Sequence, residues 1–168
     1  MRNSIAPHVK FCHGACAMKD DKQESHLNLS DMVCFAIYST ANALTRAYQP
    51  ILSKLELTYP QFLVMVVLWE QDNCTVSEIG AKLNLDSGTL TPLLKRLEAA
   101  GHLARRSDSE DERQVRITLT DEGRALQIKA TDIPEQVFCA LGEPLNDLQS
   151  LRDRLLNVRN NLKDSISK

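Results

Sequence analysis

Residues 75–101 carry the signals of two helices joined by a tight turn. The segment 75–78 (TVSE) is a capping box, in which a Thr hydroxyl and a Glu carboxylate each accept a backbone N–H, and it predicts a short helix ending at Leu83. The turn 84–86 (NLD) separates it from a second helix, which runs from Ser87 to Ala100 and stops at Gly101. This arrangement predicts a helix-turn-helix unit.

The periodicity becomes alternating after this unit. Residues 103–106 and 114–119 are predicted as strands, and the polar segment 107–113 between them as a hairpin tip. Apolar spacing predicts helices over about 31–55, with Ser30 as the N-cap, and over about 58–71, 121–142 and 145–164. The expected fold is mainly α with a small β-hairpin wing, a winged helix-turn-helix. Four parts are expected: a flexible tail at 1–28, a first long helix at 29–57, the winged unit at 58–120 and C-terminal helices at 121–168.

The second helix of the unit and the hairpin carry side chains that suit DNA. Short hydroxyls at a helix N-terminus lie where free N–H groups favour phosphate or a groove edge. Cations further along that helix suit backbone phosphates, and an arginine at a hairpin tip suits a minor groove. The alternative is that the hydroxyls are ordinary helix caps and the arginines a solvated face. The residues expected to contact DNA are Ser87, Thr89, Thr91, Lys95, Arg96, Asp111, Arg113 and Arg116.

Composition limits how such binding works. The 168 residues include 20 Lys+Arg and 22 Asp+Glu, a net charge of −2, which gives no general attraction to a polyanion. The acidic residues of the hairpin tip also cancel the hairpin arginines in number. We therefore expect binding to depend on shape and on two copies acting together. No membrane span is expected, because no apolar run approaches the roughly 18 residues that a span needs.

Five cysteines, an odd number, fit a reducing cytoplasm better than a secreted disulfide framework, so a cytoplasmic protein is expected. On the first long helix, Tyr38 and Tyr48 lie within about 40° of Cys34. A tyrosine hydroxyl that bonds a thiolate favours its ionisation. Tyr48 is about 21 Å further along a straight helix, so it can meet only the Cys34 of another copy. From spacing alone, Cys34 is favoured as a small core residue.

Two cysteines and two histidines near the N-terminus offer four possible metal ligands. They lie in the expected tail, and no Cys or His cluster elsewhere completes a site, so neither a metal nor another cofactor is expected. These four residues are His8, Cys12, His13 and Cys16.

Three segments together resemble the MarR family of winged-helix repressors: 86–98 (DSGTLTPLLKRLE), 111–113 (DER) and 119–123 (LTDEG). The resemblance extends over roughly 29–165. It implies a homodimer with interleaved first and last helices, so that the segments 29–57 and 121–168 mediate dimerisation. It also implies one recognition helix for each half-site of a pseudo-palindromic operator in double-stranded DNA.

Further segments, 34–38 (CFAIY) and 57–64 (LTYPQFLV), are similar to the OhrR subgroup, the organic hydroperoxide resistance regulators. This similarity implies that an organic hydroperoxide oxidises Cys34 to a sulfenic acid, with Tyr38 and Tyr48 bonded to it. Cys139 lies where the two-cysteine members carry a second cysteine, although its own setting suggests a buried structural thiol. The resemblance thus implies a redox-sensing repressor, released through a disulfide between Cys34 and the partner subunit's Cys139.

Two other functions stay open. A MarR-type repressor can instead be released by reversible binding of a phenolic or other apolar ligand. A peroxide-reactive cysteine with a resolving partner also equips a thiol peroxidase or dithiol oxidoreductase, but this chain has no Cys-x-x-Cys motif and no βαβ pattern. An enzyme is therefore not expected.

Overall fold

A computed structural model describes residues 28–108, 111 and 114–166, and their fold is mainly helical with a small antiparallel sheet, as the sequence predicts. The chain divides into two compact units, one from Leu29 to Ala140 and one that contains the residues from Leu141 onward. The described helices are α1 (Val33–Leu52), α2 (Tyr59–Glu70), α3 (Val76–Leu83), α4 (Ser87–Ala99), α5 (Asp121–Ala130), α6 (Ile133–Leu141) and α7 (Leu145–Ile166). The strands are β1 (Cys74–Thr75), β2 (Leu103–Ser107) and β3 (Val115–Leu119).

The predicted helix-turn-helix is formed by α3 and α4. The Glu78 carboxylate accepts the backbone N–H of Thr75 at 2.7 Å, and the Thr75 hydroxyl accepts the N–H of Glu78 at 3.2 Å. The turn bonds back to α3 through Leu85 N–H and the Gly80 carbonyl oxygen, at 2.9 Å. A Cβ at Gly80 would lie 2.8 Å from the Leu85 carbonyl oxygen. Glycine therefore lets the turn approach α3 closely enough to aim α4.

The wing is a three-stranded sheet in the order β1-β3-β2. Both pairings are antiparallel, with Leu103 opposite Leu119 and Cys74 opposite Ile117. The strand β1 was not expected, because a two-residue strand is too short to show alternation and exists only through its pairing with β3. The predicted hairpin is confirmed, with one additional strand at its edge.

The core lies under α4. Leu90, Leu94 and Leu97 are fully buried, and Leu93 is half-buried, so the predicted apolar stripe of α4 faces inward. The other fully buried large side chains come from α1, α2, α3 and the sheet: Leu52, Val64, Met65, Leu68, Cys74, Ile79, Leu103 and Ile117. The polar face of α4 is thereby directed away from the core.

Two helix boundaries predicted from the sequence are wrong. The first long helix begins at Val33 with Met32 as its N-cap, and not at about residue 31 with Ser30 as its N-cap, because residues Leu29–Asp31 form a separate 3₁₀ turn. The helix predicted over 121–142 is two helices, with a break between Ala130 and Ile133. Pro134 accounts for this break, since it has no N–H to donate and its ring clashes with the carbonyl four residues earlier.

The beginning of α5 contacts α2 and His102, which lies between α4 and β2. Trp69 donates its indole N–H to the Gly123 carbonyl oxygen at 2.9 Å. A Cβ at Gly123 would lie 2.0 Å from the His102 carbonyl oxygen, so no side chain fits there. The Thr120 hydroxyl accepts the N–H of Gly123 at 3.0 Å and caps α5.

Among the described residues, no single helix is long and apolar enough to span a membrane.

Candidate nucleic-acid interface and thiol site

The N-terminus of α4 is exposed, and its three hydroxyl groups differ in what they bond. Thr89 donates to the Asp86 carboxylate at 2.8 Å, and Thr91 donates to the carbonyl oxygen of Ser87 at 2.6 Å. Ser87 is exposed, and its own hydroxyl has no hydrogen bond to a residue within the described ranges. Thr89 and Thr91 can thus accept a bond from a ligand, whereas Ser87 can also donate one.

A carboxylate and two cations set the charge along the exposed side of α4. The backbone N–H and the hydroxyl of Thr89 bond to Asp86 and lower its pKa, so this cap is ionised at neutral pH. Lys95 and Arg96 lie about two and a half turns further on and are exposed. Neither has an ion pair with any residue that the structure describes. The positive charge of α4 is therefore available to an external anion.

The predicted wing residues are only partly described, since Arg113 lies outside the described residues. The Asp111 carboxylate accepts the side-chain amide of Gln114 at 3.3 Å. The Arg116 guanidinium forms an ion pair with the Asp108 carboxylate and donates to the Asn73 carbonyl oxygen at 3.0 Å. Arg116 is thus held inside the wing.

The described thiols fall into two classes. Cys34 on α1 and Cys139 on α6 are exposed, so neither is the buried residue that its local sequence alone suggests. Cys74 is buried and donates its thiol to the Gln71 carbonyl oxygen at 3.1 Å. Burial raises the pKa of the Cys74 thiol above its ordinary value, which lowers its thiolate fraction at neutral pH. Cys12 and Cys16 lie outside the described residues, and the described ranges contain no cluster of potential metal ligands.

The two predicted tyrosines differ in their surroundings. Tyr38 is 65% exposed on the same helix as Cys34. Tyr48 is half-buried, with its ring centroid 4.5 Å from that of Tyr59 and 5.9 Å from that of Phe62. In the single protomer, the Cys34 thiol and the Tyr38 hydroxyl form no hydrogen bond with a described residue.

Tyr59 was missed as a site residue, although it lies in the segment 57–64 that carries the OhrR resemblance. Burial, and then the neighbouring Tyr59, raise the pKa of Tyr48, and burial raises the pKa of Tyr59. Both phenols therefore stay protonated at neutral pH and can donate hydrogen bonds. The sequence offers one signal, the three aromatic residues of α2 (Tyr59, Phe62 and Trp69). In the structure Phe62 and Trp69 meet edge to face, with ring centroids 6.0 Å apart.

Large apolar side chains around Cys34 are uncovered in the protomer. The exposed ones on α1 and just before it are Leu29, Met32, Val33, Phe35 and Ile37. A second exposed set, at spacings of three and four, follows α7: Leu151, Leu155, Val158, Leu162 and Ile166. Monomeric soluble proteins rarely expose contiguous apolar surface of this kind, so each set marks an interaction surface.

The family model described as transcriptional regulator SarA/Rot matches residues 46–129, from the second half of α1 into α5. The chain belongs to this family. It is a transcriptional regulator with a MarR-like winged helix, and the resemblance drawn from the motifs is confirmed.

Two relatives of this regulator cover most of its length. The HTH-type transcriptional regulator TtmR of Methylorubrum extorquens is 50% identical over 144 residues, which are 86% of this chain and 72% of TtmR. The organic hydroperoxide resistance transcriptional regulator of Bacillus subtilis is 42% identical over 133 residues, which are 79% of this chain and 90% of that protein.

The solved structures of AbfR from Staphylococcus epidermidis are similar to this regulator in fold. Reduced AbfR bound to DNA matches with a TM-score of 0.71 and 33% identity, over 83% of this chain and 96% of AbfR. The disulfide-formed AbfR matches with a TM-score of 0.56 and 33% identity, over 84% and 94%.

The regulator also contains an apolar cleft of about 300 Å³ between α2 and the segment formed by α5 and α6. Its walls include the rings of Phe62 and Trp69 and the side chain of Pro134, with the Glu70 carboxylate and the Gln127 amide as polar groups. The volume suits a small ligand with an apolar body.

Proposed function

We propose that this regulator is a repressor that binds operator DNA as a homodimer and releases it when an organic hydroperoxide oxidises Cys34. The observation that carries the proposal is the exposed Cys34 thiol within an uncovered apolar surface. The regulator is also 42% identical to an organic hydroperoxide resistance regulator. The protein acts in the cytoplasm, where thiols are kept reduced until an oxidant arrives.

The homodimer follows from the two exposed apolar surfaces. A second copy of the chain that covers the first turns of α1 and the stripe of α7 removes both from water, at about 25 cal/mol for each Å² buried. Two recognition helices then face DNA together, which compensates for the net charge of −2. The proposed DNA contacts are those predicted from the sequence, except that Arg116 receives another role below.

The proposed chemistry uses one hydroperoxide to join two thiols as a disulfide, in two steps. The Cys34 thiolate attacks the terminal oxygen of the hydroperoxide, an S–O bond forms, and the O–O bond breaks. The leaving alkoxide takes a proton and departs as an alcohol, so that sulfur is oxidised to a sulfenic acid and the hydroperoxide is reduced. The Cys139 thiolate of the partner subunit then attacks this sulfur, forming a disulfide, and hydroxide leaves as water.

Protonated phenols support the first step. Tyr38 lies on the helix of Cys34, whereas Tyr48 can approach only the partner subunit's Cys34. A hydroxyl that donates a hydrogen bond to a thiolate stabilises the ionised sulfur, which is the form that attacks a hydroperoxide. Tyr59, next to Tyr48, offers a second donor at the same position. The disulfide then changes the arrangement of the dimer and the distance between the two α4 helices, and DNA is released.

The experiment compares oxidant response in three proteins. A DNA duplex is first selected from a random pool by its binding to the reduced protein. Fluorescence anisotropy then measures the affinity for this duplex before and after addition of one equivalent of cumene hydroperoxide. The wild type is expected to lose about tenfold or more in affinity and to recover it with dithiothreitol. Cys34→Ser is expected to bind the duplex and to ignore the oxidant. Cys74→Ser, which alters the buried thiol, is the matched control and is expected to respond like the wild type.

The disulfide is tested separately on non-reducing gels. The wild type is expected to form a covalent dimer that Cys139→Ser does not form. A covalent dimer that persists in Cys139→Ser excludes the proposed pairing, and normal release of Cys34→Ser excludes the sensor. Repeated turnover of hydroperoxide with dithiothreitol, without an effect on DNA binding, would instead identify a thiol peroxidase.

The cleft beside Trp69 favours a second candidate function, release by reversible binding of a small phenolic ligand. Trp69 is the single tryptophan of the chain, so quenching of its fluorescence reports occupancy directly. A phenolic acid that quenches Trp69 and releases DNA equally from the wild type and from Cys34→Ser would favour this function. Quenching without release of DNA would show that the cleft binds the ligand but does not regulate DNA binding, and would exclude this second function.

A further inference from the structure

The register of the sheet separates the three described arginines of the wing. Arg105 lies opposite the fully buried Ile117, so its side chain is on the core face of the sheet. Arg106 lies opposite Arg116, and both are on the other face. Sequence alone does not distinguish these arginines, because they are close together in the chain and chemically identical.

Two of the three arginines have partners within the protein, that of Arg105 on α4 and that of Arg116 in the wing. Arg105 donates its backbone N–H to Glu98 on α4 at 3.2 Å, and its guanidinium lies 3.8 Å from the same carboxylate. Arg116 pairs with Asp108, whose side chain is 6% exposed, and bonds to the Asn73 carbonyl oxygen just before β1. Glu98 thus connects β2 to α4, and Arg116 connects β3 to Asp108, the residue that follows β2.

Arg106 differs from both. Its side chain is exposed and has no hydrogen bond or ion pair with any residue in the described part of the chain, although its backbone pairs with Arg116. Its position directly opposite Arg116 places two like charges side by side on one face, which destabilises a sheet unless anions compensate. Asp108 compensates Arg116, whereas no carboxylate among the described residues compensates Arg106, so its charge can attract an external anion.

We propose that Arg106 contacts a backbone phosphate of the bound DNA, and that Arg116 is a positioning residue that holds Arg106 in place. The proposal rests on the DNA binding proposed above and adds a residue outside the DNA contacts expected from the sequence. Arg116, which the sequence predicts as a DNA contact, acts through its bonds to Asp108 and Asn73. A phosphate that arrives at Arg106 relieves its repulsion from Arg116.

The salt dependence of binding tests Arg106. The logarithm of the binding constant falls with the logarithm of salt concentration by about 0.9 for each phosphate neutralised, so two wings account for a slope of about 1.8. Arg106→Gln in the reduced full-length protein is therefore expected to lower the magnitude of the slope by about 1.8. Between 50 and 200 mM salt, the variant then loses about twelvefold less affinity than the wild type does. Arg106→Lys is expected to keep the wild-type slope.

The matched control is Arg152→Gln, which removes the same charge from α7 and is expected to leave the slope unchanged. An unchanged slope in Arg106→Gln overturns the proposal, whatever happens to affinity. If the wild type binds no duplex at all, the proposed function fails instead, so the two failures are distinguishable.

A double-mutant cycle tests Arg116. If Arg116 acts by positioning Arg106, then Arg116→Gln weakens DNA binding in the wild type and has little further effect in the Arg106→Gln background. An equal loss in both backgrounds assigns Arg116 a general structural role and overturns this part of the proposal. Thermal unfolding of each variant is measured alongside, and Arg106→Gln is expected to unfold like the wild type.

Discussion

Replacing Asp72 with asparagine would test how the wing is attached to the rest of the regulator. The Asp72 carboxylate accepts the N–H of Leu119 at 2.9 Å and that of Asn73 at 2.8 Å. It also accepts the Arg124 guanidinium of α5 at 2.5 Å. Burial alone would raise the pKa of Asp72, but the two N–H groups and Arg124 outweigh burial and lower it. One carboxylate therefore joins α2, β3 and α5.

The expected loss follows from these bonds. A hydrogen bond to a charged group contributes about 1.5–3 kcal/mol and a neutral one about 0.5–1.5 kcal/mol, so each N–H bond weakens by about 1 kcal/mol when Asp72 becomes neutral. Arg124 is 54% exposed and its ion pair adds at most about 0.5 kcal/mol. Asp72→Asn is expected to lower the free energy of unfolding by about 2 kcal/mol at pH 7.

The sign of the pH dependence follows from the lowered pKa of Asp72. The ionised carboxylate stabilises the folded state fully above the unfolded-state pKa of about 3.9, and this contribution is lost as pH falls through the lower folded-state pKa. The difference between the wild type and Asp72→Asn is therefore expected to be constant near neutrality and to shrink below about pH 4.

The assay is urea unfolding followed by circular dichroism, at one protein concentration, at pH 7 and at decreasing pH. Asp153→Asn is the control, because Asp153 pairs at 2.8 Å with Arg152 while both side chains are more than half exposed, and it is expected to cost less than about 0.5 kcal/mol. A loss in Asp72→Asn no larger than in this control, or a difference that does not shrink in acid, would refute the reasoning.

Three further substitutions probe the packing that positions the wing and α4, and thermal unfolding measures each. Gly123→Ala is expected to lower the free energy of unfolding by about 3 kcal/mol, because its Cβ meets the His102 carbonyl oxygen. Gly142→Ala is the control and is expected to lower it by about 1 kcal/mol, because Gly142 has a φ of 70° but no atom near the added Cβ. Equal losses would contradict the clash. Thr120→Val removes the α5 cap and is expected to cost about 1 kcal/mol; no loss would show that water replaces it. Leu90→Ala is expected to cost about 3 kcal/mol, and a smaller loss would mean that the core collapses around the site.

The helix-turn-helix could be predicted because its signals are local. The bonds between Thr75 and Glu78, and between Asp86 and Thr89, span three residues each, so the side chains that make them are visible in the sequence. Tertiary contacts decide the features that were missed. The strand β1 needs its pairing with β3, and Tyr59 meets Tyr48 only because α1 packs against α2.

The arginines of the wing show the same limit within the candidate site. Their residue type predicts attraction to phosphate, but the face of the sheet on which each lies depends on register. Register places Arg105 against α4 and leaves Arg106 exposed, a difference that a shift of one residue would reverse. The sequence predicts which chemistry is present in the wing, and the fold decides which side chains remain available.

The break before α6 bears on how a disulfide at Cys139 can be reversible. The nine-residue helix α6 is separated from α5, and its buried side chains are Ile133 and Val137. Withdrawing both from the core costs at most about 3–6 kcal/mol. If the proposed disulfide requires α6 to leave its place, this cost destabilises the oxidised form and raises its reduction potential by about 60–130 mV. Cellular thiols then reduce the disulfide more readily, so the weak anchoring of α6 favours a sensor that returns to its DNA-binding form.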